Sequence, residues 1–155
     1  MKKSSVIKAL TAFGVLAAGT TMFAPAANAA YSCGAGQVCF FANSDQTGSV
    51  FVAGALKKNG DVVWNFGNER FTNGASANDA VSSIVNNTGS AVFVFTDSNK
   101  SGTLFVVKPY ETVHGITAVT VYQRSAGGHI TRIGSINDMI SSATLEPYNW
   151  WPAGF

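Results

Sequence analysis

Between Val38 and Tyr122 the chain sets short apolar runs between polar or glycine-bearing turns: Val38 to Phe41, Val50 to Val52, Val62 to Phe66, Val92 to Phe95, Leu104 to Val107 and Ala118 to Tyr122. These runs are rich in β-branched and aromatic residues, and their spacing predicts an all-β sandwich or barrel. No helical period is sustained after the first thirty residues. Short helical turns are expected only at Asn78 to Ser83 and Asn137 to Ser142, where Asn-Asp can act as a cap. The first thirty residues follow another pattern: Lys2 and Lys3, an apolar run from Ala9 to Phe23, and the small-residue exit Ala27-Asn28-Ala29. That order reads as a secretory signal peptide of bacterial type over 1–29, with the mature chain starting at Ala30. Its apolar run is short for a membrane span, and no later stretch approaches the roughly 20 apolar residues that a span needs. The mature protein is therefore expected to be secreted and extracellular.

Two internal matches organise the remainder. Shifting the chain by 54 places Phe41, Gly48, Phe51 and Val52 on Phe95, Gly102, Phe105 and Val106, so the two halves share a hairpin. A six-residue pattern also occurs twice, as Asn78-Asp79-Ala80-Val81-Ser82-Ser83 and Asn137-Asp138-Met139-Ile140-Ser141-Ser142, at a shift of 59. Four oxygen-bearing side chains recur at fixed spacing, a coincidence of roughly 10⁻⁵ per starting point at ordinary residue frequencies. The larger second shift places a five-residue insertion between Tyr110 and Gly134. Each half reads as a hairpin, a further strand, a loop bearing the pattern and a final strand, which describes a Greek key. The expected layout is one key over about 38–88, a second over about 90–147, and an aromatic tail over 148–155.

Composition narrows the function. The chain has 10 Lys and Arg against 8 Asp and Glu. Loss of the leader removes Lys2, Lys3 and Lys8, leaving seven against eight, a formal charge of −1. With no basic cluster larger than Lys57-Lys58, the chain lacks the electrostatic footprint of a nucleic-acid binder. Cys33 and Cys39, with five residues between them, are expected to form a disulfide after export and to pin the entrance of the first strand. The competing reading, a redox or metal-binding pair, wants Cys-x-x-Cys spacing or further ligands nearby. His114 and His129 are the only imidazoles, and neither a Gly-x-Ser-x-Gly elbow nor a His-Glu-x-x-His helix is present, so no catalytic residue is assigned.

The repeat, the hairpin and the Asn-Asp-x-x-Ser-Ser pattern together resemble the βγ-crystallin superfamily over about Val38 to Leu145. The opening Cys33-Gly34-Ala35-Gly36-Gln37-Val38-Cys39 resembles the Cys-x-x-Gly-x-x-Cys entrance of secreted bacterial proteins grouped with peptidase inhibitor family I36, whose type member is a metalloproteinase inhibitor. The resemblance implies a βγ-crystallin-like double Greek-key sandwich. It also implies Ca²⁺ as the bound cofactor, each ion shared between the two halves, with Asn78, Asp79 and Ser82 of one motif and Asn137, Asp138 and Ser141 of the other as donors. Backbone carbonyls at Ala42 and Thr96 are further candidate ligands. The single carboxylate in each motif implies weak binding, in or somewhat below the 10⁻⁴ to 10⁻³ M range common for extracellular modules. In the family the hairpin carries a second aromatic, replaced here by Gln46 and Lys100, and that loss is expected to loosen the folded-over turn.

Three functional classes follow. The first is a secreted, non-enzymatic, monomeric calcium-binding protein of the I36 type. The second is a proteinaceous inhibitor of a secreted metallopeptidase, offering a loop such as Gly115 to Gly134. In the family's type inhibitor a second disulfide is thought to tie the reactive loop, and this chain has no third or fourth cysteine. The third is an extracellular structural or surface-interaction protein using the tail Tyr148 to Phe155, although that tail is more simply expected to fold back over an open end of the sandwich.

Overall fold

All four residues of the first strand, β1 (Val38–Phe41), are buried, because both of its faces are covered. Val38 and Phe40 point into the main core, while Cys39 and Phe41 join Val50, Val52 and Val85 on the opposite face. The computed structural model describes residues 31–125 and 128–148. The signal-peptide assignment and all of the aromatic tail except Tyr148 therefore lie outside the described residues.

β2 (Val50–Val52) folds back on β1, β3 (Val62–Val63) leaves for the other layer, and β4 (Ser83–Asn86) returns beside β1. The second half repeats this with β5 (Ala91–Asp97), β6 (Ser101–Val107), β7 (Thr112–Val113) and the closing strand Ser142–Glu146. Before that closing strand, β10, it adds a hairpin of β8 (Val119–Ser125) and β9 (Gly128–Gly134). The sheets run β2-β1-β4-β7 and β3-β10-β5-β6-β8-β9, so each half lends its third strand to the other half's sheet. Two antiparallel sheets of exchanged Greek keys result, an all-β sandwich. The apolar inner faces meet in one core, where Phe40, Phe51 and Phe66 form a triad with ring centroids 5.0 to 5.7 Å apart.

The five-residue length difference resolves into two changes. β3 and β7 are related by a shift of 50, so the second half is four residues shorter before this strand and nine longer after it. The nine extra residues build the β8–β9 hairpin, where the first half has only an isolated bridge between Arg70 and Ser76.

The expected helical turns at the Asn-Asp patterns do not form. Asp79 and Asp138 adopt positive φ, 51° and 53°, which turns the chain left-handed at once, and Ser83 and Ser142 already begin strands. A one-turn 3₁₀ helix appears instead at Phe66–Asn68, taking Phe66 out of the expected Val62 to Phe66 strand, while Ser44–Gln46 is a tight turn in which Asp45 and Gln46 are both left-handed. The hairpin glycines are needed: Gly48 and Gly102 have φ of +74° and +79°, and a Cβ on Gly48 would lie 2.7 Å from Asn43 Nδ2.

Cys33 and Cys39 are joined by a disulfide, Cα atoms 6.0 Å apart. The loop it closes is tied to the junction of the two halves, since Gly36 donates its N–H to the Asn87 carbonyl and Asn87 donates both its N–H to Gln37 and its side-chain amide to Cys33. The bond thus fixes the entrance of β1 against the hinge.

A turn at Lys57 to Asp61 docks on β10, with Leu145 donating its N–H to the Asp61 carbonyl. The Asp61 carboxylate accepts the N–H groups of Lys57 and Lys58, each at 2.9 Å, and these bonds hold its pKa below the usual aspartate value of 3.8. A carboxyl depressed on folding adds stability above its unfolded pKa and loses it as pH falls through the folded one. Asp61→Asn should therefore unfold at lower urea than wild type at pH 6, with the gap closing below pH 3.8.

Candidate functional site

The two Asn-Asp loops are built alike, residue by residue. The Ser76 hydroxyl accepts the N–H of Asn78 at 3.2 Å, and Ser135 does the same for Asn137 at 3.2 Å. Each Asn side-chain amide then donates to its neighbour's carboxylate, Asn78 to Asp79 Oδ2 at 2.6 Å and Asn137 to Asp138 Oδ2 at 2.7 Å. The left-handed turn at each Asp carries the chain toward the other half: the N–H of Asp79 donates to the Ile140 carbonyl and that of Asp138 to the Val81 carbonyl, both at 3.1 Å.

Across this junction the first serine of each copy meets the aspartate of the other. Ser141 Oγ donates to Asp79 Oδ1 at 3.0 Å, and Ser82 Oγ donates to Asp138 Oδ1 at 3.3 Å. The serines are buried and the aspartates exposed, so each pair sets a buried hydroxyl against a surface carboxylate, and Ser141 and Asp79 do so in a groove. Ser82 and Ser141 are in turn held by N–H bonds to the carbonyls of Phe41 and Phe95, the residues just before Ala42 and Thr96. Of the residues read from sequence, the structure gathers Asn78, Asp79, Ser141 and Thr96 in one groove, and it brings Asp138, backed by Asn137, to Ser82.

Asp97 and Asn65 line the first groove as well and were not foreseen. The 54-residue shift carries a signal for Asp97, because it aligns the residue with Asn43, another oxygen-bearing side chain two positions after the hairpin aromatic. Ser76 and Ser135 were also legible, since the 59-residue shift extends two residues upstream to give Ser-x-Asn-Asp-x-x-Ser-Ser. One groove thus carries two carboxylates, Asp79 and Asp97, whereas the repeat places uncharged Asn43 where Asp97 would fall in the other.

The second serine of each copy has a different task. Ser83 Oγ accepts the Gln46 N–H at 3.1 Å and donates to the Asn43 carbonyl at 2.6 Å; Ser142 Oγ accepts the Lys100 N–H at 3.0 Å and donates to the Asp97 carbonyl at 2.6 Å. These bonds clamp the folded hairpins through backbone groups alone. Gln46 and Lys100 take φ of 56° and 57° there, so the turn closes without the missing aromatic ring.

Among the described residues no three His, Cys, Asp or Glu side chains converge as a metal cluster. A cation in these grooves would rely on amide, hydroxyl and carbonyl oxygens beside one or two carboxylates. Such oxygens suit calcium, which takes six to eight of them. His114 lies outside both grooves, on the surface, with Nδ1 3.3 Å from Asp45 Oδ1.

Comparison with known proteins bears on the family and the fold. The model of peptidase inhibitor family I36 matches residues 26–107. A solved structure described as "Evolution of the eye lens beta-gamma-crystallin domain fold" superposes with a TM-score of 0.52 at 18% identity, covering 77% of this chain and 94% of that one. A βγ-crystallin from Ciona intestinalis superposes with a TM-score of 0.47 at 22% identity, covering 72% and 100%. No curated protein sequence matches the chain. The first of these likenesses shows the fold, that of the βγ-crystallins.

Proposed function

The chain belongs to peptidase inhibitor family I36, and from that premise we propose that it is an exported, non-enzymatic βγ-crystallin-like protein that binds Ca²⁺ in two grooves shared between its halves. One observation carries the calcium reading: the reciprocal contacts of Ser141 with Asp79 and of Ser82 with Asp138, which join the halves through oxygen ligands alone. Asn78, Asp79, Ser141 and Thr96 would hold one ion, with Asp97 adding charge; Asn137, Asp138, Ser82 and Ala42 would hold the other. Bound calcium would supply positive charge between chain segments that meet only when the protein is folded. The disulfide and the family support an oxidising, extracellular setting.

The competing account is that the same contacts are ordinary hydrogen bonds that shape two turns. Thermal melting with and without calcium separates the two. At ten times Kd, one site that binds only the native state adds about 1.4 kcal/mol, a rise of roughly 5 °C for a domain of this size. The expected result is such a rise for the protein and none for a variant with both Asp79→Ala and Asp138→Ala, with isothermal titration resolving the Asp97-bearing groove as the tighter. No heat at millimolar calcium from the folded protein would leave only the turn-shaping account.

Family membership favours a second role beside the first, binding to a secreted peptidase. Calcium would then tune the stability of the body that meets the partner.

A further inference from the structure

The two sheets have four edges, and they are unequal. β2 is three residues long, and β3 and β7 are two each. Short edges are a standard protection against pairing with foreign strands. β9 is seven residues long and pairs with β8 at every position from Gly128 to Gly134, without a bulge. Among the described residues no strand lies on its outer side. Of the other devices that blunt an edge, Gly128-His129-Ile130-Thr131-Arg132-Ile133-Gly134 has neither proline nor lysine, and its one arginine is Arg132. Thr131, Arg132 and Ile133 are exposed, Ile133 at 69%.

The same strand belongs to the one element that the first half lacks. The first Greek key closes with only the Arg70–Ser76 bridge in its place, so closing a key does not require a long hairpin. β8 joins the hairpin to the rest of the sheet, pairing Tyr122 with Leu104 of β6 and packing Val119 and Val121 on the main core, so that β9 is the outermost strand. Charge adds a direction. Between Glu111 and Asp138 no acidic residue occurs, while Arg124 and Arg132 lie in that interval.

We propose that the outer edge of β9 is the docking strand for a secreted peptidase, pairing with an extended, acidic segment of the enzyme. An exposed edge offers main-chain hydrogen bonds to any extended segment, and the alternate side chains select among them. Arg132 would select for acidic neighbours and Ile133 for an apolar one. The proposal rests on the peptidase-binding role inferred from the family.

The test measures binding to a thermolysin-type and a subtilisin-type peptidase by the protein and by a variant carrying Arg132→Glu and Ile133→Glu, two exposed positions whose change leaves the core intact. The expected result is at least tenfold weaker binding by the variant, with an unchanged melting temperature and slowed hydrogen exchange at β9 amides in the wild-type complex. Equal binding by the variant, with protection elsewhere, overturns the β9 assignment and leaves the peptidase-binding role standing. Binding to neither enzyme removes that role and the docking strand with it. A concentration-dependent dimer in sedimentation that the variant abolishes would instead assign the edge to a second copy of the chain.

Discussion

Replacing Phe40 with alanine is expected to cost about 3 to 5 kcal/mol and lower the melting midpoint by roughly 15 °C. Phe40 is fully buried in β1, stacks on Phe51 of β2 at 5.7 Å and meets the edge of Phe66 at 5.0 Å. Truncation removes a ring from the point where hairpin, core and 3₁₀ turn converge, and a strand held on both sides, by β2 and β4, cannot collapse into the space. The damage should reach the groove. Phe66 donates its backbone N–H to the Ser141 carbonyl at 2.8 Å, so the residue whose ring loses its partner also holds, through its main chain, the serine that faces Asp79. A total stability of 5 to 15 kcal/mol leaves little margin for such a loss. Urea unfolding of Phe40→Ala measures it, and a cost under 1 kcal/mol would show that the triad is not the keystone of the core.

The sequence made the hairpin strands legible because each is a β-branched or aromatic run bounded by turn residues. Val38 to Phe41, Val50 to Val52 and Leu104 to Val107 fall within strands. It could not show which way Phe40 and Phe41 face, since apolar clusters cover both sides of β1 and no polar residue marks an outer face. The exchange of strands between sheets was also hidden. It runs through β3 and β7, two residues each, too short to carry a period. Helix was expected at the Asn-Asp patterns because Asn and Asp cap helices, but the same side chains also tolerate positive φ, and at Asp79 and Asp138 the second property prevailed. β9 escaped notice because two glycines and a histidine interrupt its apolar pattern.

Within Asn-Asp-x-x-Ser-Ser the two serines should part company under mutation. Ser83→Ala or Ser142→Ala is expected to cost about 1 to 2 kcal/mol with or without calcium, because each fully buried hydroxyl serves one N–H and one carbonyl of its folded hairpin. Ser82→Ala or Ser141→Ala removes a single bond to an exposed carboxylate that water can replace. Its cost in calcium-free buffer should stay below about 1 kcal/mol, while the calcium-induced rise in melting temperature shrinks. Four melting curves in each buffer decide the matter. Equal losses from all four variants, indifferent to calcium, would make the whole pattern a device for folding two hairpins. The expected split instead assigns the outer serine of each pair to the groove and the inner one to the turn, so that one short pattern closes a Greek key and carries its ligand oxygens across to the other half.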